Sequence, residues 1–180
     1  MNYLHQDTGE YPVTYAQIIE RNSNSSIPTE LSKEDAAHLG YDQVLPTNPP
    51  AFDAMTQGAR ETHPGQFSGE WIQRWEIYAL SPEAVAANQQ ALIQTLTAGV
   101  QRHLDDFAKS RNYDGILSAC TYASSTVPRF RADGQYCVDA RDGTWAAMYQ
   151  LMSDVQSGVK PMPTSMADVL PELPVLAWPH

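Results

Sequence analysis

The sequence predicts an α+β fold: a small N-terminal module of strands and short helices, a central long helix, and a C-terminal helical module closed by a proline-rich tail. Three observations lead there. Residues 70–80 alternate apolar and polar side chains with the two-residue period of a strand. From residue 82 onward the apolar positions recur at steps of three and four, the period of an amphipathic helix. Prolines then gather at 46–50 and 161–179, where the chain must run extended. The boundaries expected are 1–80 for the α+β module, 81–111 for the connecting helix, 112–160 for the helical domain and 161–180 for the tail.

Within the first module, residues 12–21 form a mixed apolar stretch that does not declare its type, and Asn22-Ser23-Asn24-Ser25-Ser26 is a loop. Ser32 starts a short helix, because its hydroxyl can cap Asp35 while Asp35 reaches back. Gly40 stops that helix, and residues 41–45 read as a strand ended by Pro46. In the strand at 70–80, Trp71, Gln73, Trp75, Ile77 and Ala79 form the more apolar face and are expected inward. Gly65-Gln66-Phe67-Ser68-Gly69 reads as the preceding turn, with His63 ending a partner strand. Two tryptophans on one strand face suit either core packing or a sugar platform, and core packing is the commoner use.

Ser81-Pro82-Glu83 is a helix start: a capping hydroxyl, proline at the first helical position and an acid in the first turn. The helix carries Ile93, Leu96, Val100, His103 and Phe107 at steps of three and four, the spacing of a coiled-coil seam, and Leu92 and Leu104 widen it. Gln89 and His103 interrupt the heptad. Two readings stay open: a self-associating helix, with Leu92, Ile93, Leu96, Val100, Leu104 and Phe107 as the oligomer interface, or one helix packed on its own domain.

Residues 112–123 read as a second helix with Tyr113, Ile116, Leu117 and Cys120 on its core face. After the loop 124–128, a long helix is expected over 132–155, striped by Val138, Trp145, Met148, Met152 and Val155, with Trp145 buried. Gly158 caps it and Pro161 prevents its continuation. A short helix begins at Thr164 or Ser165 and runs through Val169. The tail residues Leu170, Leu173, Val175, Leu176 and Trp178 are too apolar to hang in water, so they are expected on this subunit or on a neighbour.

Composition narrows the function. The net charge is −10 with no cluster of Lys and Arg, so nucleic acid is not an expected partner. No run of eighteen apolar residues is present, so no membrane span is expected, and Met1 to Gln6 lacks the pattern of a secretory signal. No phosphate-binding glycine loop or nucleophile elbow occurs, and the five histidines are scattered, so no catalytic, cofactor or metal site is expected. Asp105 and Asp106 read as a solvated helix face. Cys120 and Cys137 are not a disulfide framework. They suit two buried thiols, or a bridge within the chain or to a partner. Arg129, Arg131 and Arg141 lie near Cys137 in sequence, which makes it the expected accessible, low-pKa thiol and the candidate for an intersubunit disulfide.

A resemblance enters at Asn112-Tyr113-Asp114-Gly115-Ile116-Leu117-Ser118-Ala119, then Tyr122-Ala123-Ser124-Ser125, Pro128 and Phe130, then Arg141-Asp142 with Trp145, and finally Leu173-Pro174. With these, residues 111–178 resemble a C-terminal domain of unknown function found in many phage tail-fibre and tail-assembly proteins. Its members usually carry a tryptophan before the Arg-Asp pair, where this chain has Ala140. The first module is also similar to phage tail proteins, through Tyr11-Pro12, Ser26-Ile27-Pro28, Gly40-Tyr41 and the run from Gly69 to Trp75. The resemblance implies a virion structural protein of a bacteriophage, a short tail fibre or baseplate-attached component made in the host bacterial cytoplasm and located in the virion tail. A homotrimer formed through residues 82–111 and contacts with other tail or baseplate proteins would follow. The alternative it leaves open is a tail-fibre assembly chaperone absent from the mature virion. It carries over no catalytic residue, and the chain is not expected to be an enzyme.

Overall fold

In the computed structural model, which describes residues 1–179, the chain is a mixed α+β protein of two units, Met1–Val85 and the remainder from Ala86. The first unit is built on a five-stranded sheet. Its strands are β1 (Asn2–His5), β2 (Val13–Thr14), β3 (Tyr41–Leu45), β4 (Gln57–Phe67) and β5 (Glu70–Ala79), in the order β2-β1-β3-β5-β4. Only β3 and β5 pair in parallel, with Val44 opposite Trp71, and the other pairings are antiparallel.

The undeclared stretch at 12–21 divides: β2 adds to the sheet edge, and Thr14 then caps α1 (Tyr15–Arg21) in a reciprocal box with Gln17. Ser32 and Asp35 make the expected box at the start of α2 (Lys33–His38). Helices α1 and α2 contribute Ile18 and Ala36 to a core with Tyr3, Val13, Leu31 and Tyr41.

The turn before β5 is shorter than the sequence suggested. β4 continues through Phe67, and only Ser68 and Gly69 turn, both with positive φ. His63 therefore lies inside β4, beside the register irregularity between Thr62 and Gly65. On β5, Trp71, Gln73, Trp75 and Ile77 are half-buried while Arg74, Glu76 and Tyr78 are exposed, as the alternation predicted; Ile72 is half-buried and Ala79 exposed against it. Both indoles are tied to their own unit: Trp71 Nε1–H donates to Asp42 Oδ2 at 3.0 Å, and Trp75 Nε1–H to the Thr47 carbonyl at 3.1 Å.

The second unit is dominated by two long helices, α3 (Pro82–Lys109) and α5 (Pro128–Gln156), with α4 (Ile116–Thr121) between them and α6 (Met166–Val169) after them. Leu96 and Val100 of α3 meet Met148 and Leu151 of α5, whereas Leu104 and Ala108 meet Cys137, so the pair runs antiparallel. Val169 and Leu173 complete the first cluster.

Three expectations change here. The second helix starts at Ile116, not at 112, because Asn112 takes a left-handed φ of 65° and Asp114 and Gly115 remain outside the helix. Leu117 is 63% exposed, and Ala119 takes the inward place beside Ile116. The buried line of α5 runs through Gly134, Cys137, Ala140, Thr144, Met148 and Leu151, which leaves Val138 and Trp145 half-buried on its flank. A stripe drawn through the largest apolar residues shares only Met148 with this line, because the small inward residues are those that let another segment approach the helix closely. Ser165 caps α6 in a box with Asp168.

Candidate functional site

The six residues proposed as an oligomer seam do not form a free surface. Leu96, Val100 and Leu104 are no more than 1% exposed, because α5 and the C-terminal segment already fill that side of α3. Leu92 is half-buried against the same core. Phe107 stacks on Trp178 with ring centroids 4.3 Å apart, and only Ile93, at 39% exposure, faces outward. The three-four spacing is real, and its partner is intramolecular.

Cys137 is likewise placed the other way round. It is fully buried, and Cys120 is the half-exposed member of the pair; both are free thiols. Burial pushes the Cys137 thiol up to about 12, with Cys120 and Asp133 adding to the rise and Arg111 opposing it. Of the arginines that suggested a reactive thiolate, Arg129 and Arg131 lie exposed on α5 and the half-buried Arg141 acts on Cys120; none is among the groups that act on Cys137. An inert core thiol is what this setting makes of Cys137.

Of the groups that do converge, Phe107, Tyr113 and Trp178 were expected only as apolar packing residues, and the ion pair that ties them was not singled out by sequence. Asp133, 3% exposed on α5, is ion-paired to Arg111 and accepts from the Tyr113 hydroxyl at 3.2 Å. Arg111 also donates from Nη2 to the Pro179 carbonyl at 3.0 Å, and its guanidinium carbon lies 4.6 Å from the Trp178 ring centroid. Trp178 Nε1–H donates to Ser110 Oγ at 2.8 Å, and the Ala177 amide donates to the Tyr136 hydroxyl at 2.7 Å. The end of α3, the start of α5 and the tail are thus joined around one buried ion pair and an aromatic cluster of Phe107, Tyr113, Tyr136 and Trp178. A carboxylate followed by glycine, Asp133-Gly134, inside a helical stretch was the one available signal.

Asp105 also leaves its expected role as a solvated acid. Its Oδ1 accepts from the Ile116 amide at 2.9 Å and caps α4 from a neighbouring helix, while Gly115 leaves room for it. Among the described residues, no group of three or more His, Cys, Asp or Glu could hold a metal ion, and no helix is long and apolar enough to cross a membrane. No family model, no curated protein and no solved structure matches this chain.

Proposed function

We propose that this chain is a bacteriophage tail protein that acts in tail-fibre assembly, with residence in the mature tail as the second reading. The filled seam carries the choice between them. A short fibre built on residues 82–111 needs Leu96, Val100 and Leu104 free to meet two further copies, and here they are spent within the chain. The expected homotrimer loses the surface on which it was built. Tail-fibre proteins are the partners on this reading.

The tail assignment itself rests on the residues that carry the resemblance, and several of those residues do packing work. Tyr113, Tyr122 and Phe130 form an edge-to-face series with centroids 5.3 and 5.8 Å apart. Ile116 and Leu173 are core. Positions that fix a fold are the ones a shared domain would keep in common. The second reading draws on apolar side chains left outward, Ile93, Val159 and Val175, which would suit contacts inside a particle.

Mass spectrometry of purified particles, together with deletion of the coding sequence, tests the proposal. An assembly factor is absent from particles, and its loss yields particles without fibres. Presence at a fixed ratio to other tail proteins establishes the second reading. Deletion that leaves tails complete and infectious overturns both.

A further inference from the structure

We infer that the segment following Leu173 is a latch, which opens as a local unit while α3 and α5 stay paired and thereby uncovers the aromatic groove and Cys137. The inference is independent of the tail assignment. Its basis is how the segment is held. Leu173 is the last residue of the tail in the main core, at 7% exposure. Beyond it, among the described residues, no main-chain hydrogen bond ties residues 174–179 to any other backbone. The attachments run through side chains: the Tyr136 hydroxyl to the Ala177 amide, Ser110 Oγ to the Trp178 indole, and Arg111 to the Pro179 carbonyl.

Ahead of these anchors the Val175 side chain points away from the unit, at 92% exposure. Leu176 and Trp178 pack onto the cluster that contains Cys137, so the strap lies over that part of the core. A segment with few anchors and no ladder opens at lower free energy than the helices beneath it. What it leaves behind is a groove lined by Phe107, Tyr113 and Tyr136 with Arg111 at one end. Such aromatic grooves accept extended proline-flanked segments, and Pro174-Val175-Leu176-Ala177-Trp178-Pro179 is one. The resident of the groove is therefore the chain's own strap.

The test is alkylation of Cys137 in the native full-length chain, located by peptide mapping, with the half-exposed Cys120 as the internal reference. Local opening predicts a Cys137 rate that hardly changes with low urea, in contrast to the steep dependence of global unfolding. Trp178→Ala raises the rate roughly ten- to a hundredfold, since it removes the stacked ring that holds the strap down. Tyr136→Phe, which removes only the hydroxyl that accepts from Ala177, raises it several-fold, and Val175→Ala leaves it unchanged. If Trp178→Ala does not fold, the urea dependence of the wild type and the Tyr136→Phe rate decide the matter. A wild-type rate that tracks global unfolding, or one that Tyr136→Phe does not move, overturns the latch.

Discussion

Two glycines in α5 should respond to alanine with opposite signs. An alanine in a helix interior is favoured over glycine by about 1 kcal/mol, so propensity alone predicts stabilisation at both Gly134 and Gly143. The structure separates them. A Cβ on Gly134 would collide with the Tyr122 carbonyl carbon and the Ala123 amide nitrogen, and would lie 2.8 Å from Ala123 Cα. These are main-chain atoms of the 3₁₀ turn Tyr122–Ser124, which cannot rotate aside as a side chain does. Overpacking of this kind costs about 1–3 kcal/mol, and the upper part of that range applies where backbone must move. Set against the propensity gain, Gly134→Ala should destabilise by about 1–2 kcal/mol. A Cβ on Gly143 meets only Pro174 Cγ at 3.8 Å, an ordinary contact, so Gly143→Ala should stabilise by up to about 1 kcal/mol. Urea melts of the two variants, followed by circular dichroism at helix wavelengths, read both values. Equal shifts of the same sign would refute the close approach of α5 to the turn.

Two further outcomes follow from the same geometry. Ile93→Asp should change stability by no more than about 0.5 kcal/mol, because Ile93 faces solvent, whereas Val100→Asp should cost at least about 3 kcal/mol by burying a carboxylate; sedimentation alongside the melts checks that neither change acts by dissociating an oligomer. The raised thiol of Cys137 makes stability pH-dependent: above about pH 9 the unfolded chain releases the proton that the folded chain keeps until about 12, so stability falls as pH rises through that window. Melts between pH 8 and 10 should give a shallower decline for Cys137→Ala than for the wild type, with a residual slope from Cys120, whose thiol burial also raises.

Local signals in this sequence were legible wherever one residue decides an outcome. Ser32 with Asp35, the Ser81-Pro82-Glu83 start and the Gly158 stop each concern a single helix end, and each is found where the residues place it. Strand β5 was readable because its neighbours on both sides satisfy its backbone and its face alternates. The candidate site was not readable in this way. Arg111, Asp133 and Trp178 stand far apart in the chain, and nothing local marks a carboxylate that will be buried against an arginine. Cys137 was misjudged for a related reason: it is fully buried, while Arg129 and Arg131 are exposed and Arg141 acts on Cys120 instead. Which groups reach the sulfur is set by burial and by contacts from other elements, so nearness in sequence carries little information about the field there.

The α3 seam shows why an apolar period alone leaves the partner undecided. The spacing of Leu96, Val100 and Leu104 asks only for an apolar surface of matching length. A helix from another copy and a helix of the same chain satisfy it equally well in contact terms. Tethering breaks the tie. The chain supplies α5, 29 residues long against the 28 of α3, on a connection that folds back through α4. A tethered partner acts at an effective concentration in the millimolar range, while a second copy would compete at its actual concentration, commonly far lower. For the seam to be shared between copies, α5 would have to be displaced along with Met148, Leu151 and Cys137, which share their cores with α3. The contest therefore favours the intramolecular pair by the whole second core, and on the proposed assembly role a fibre protein would dock on surfaces that remain outward, such as the exposed face of α3 at Ile93.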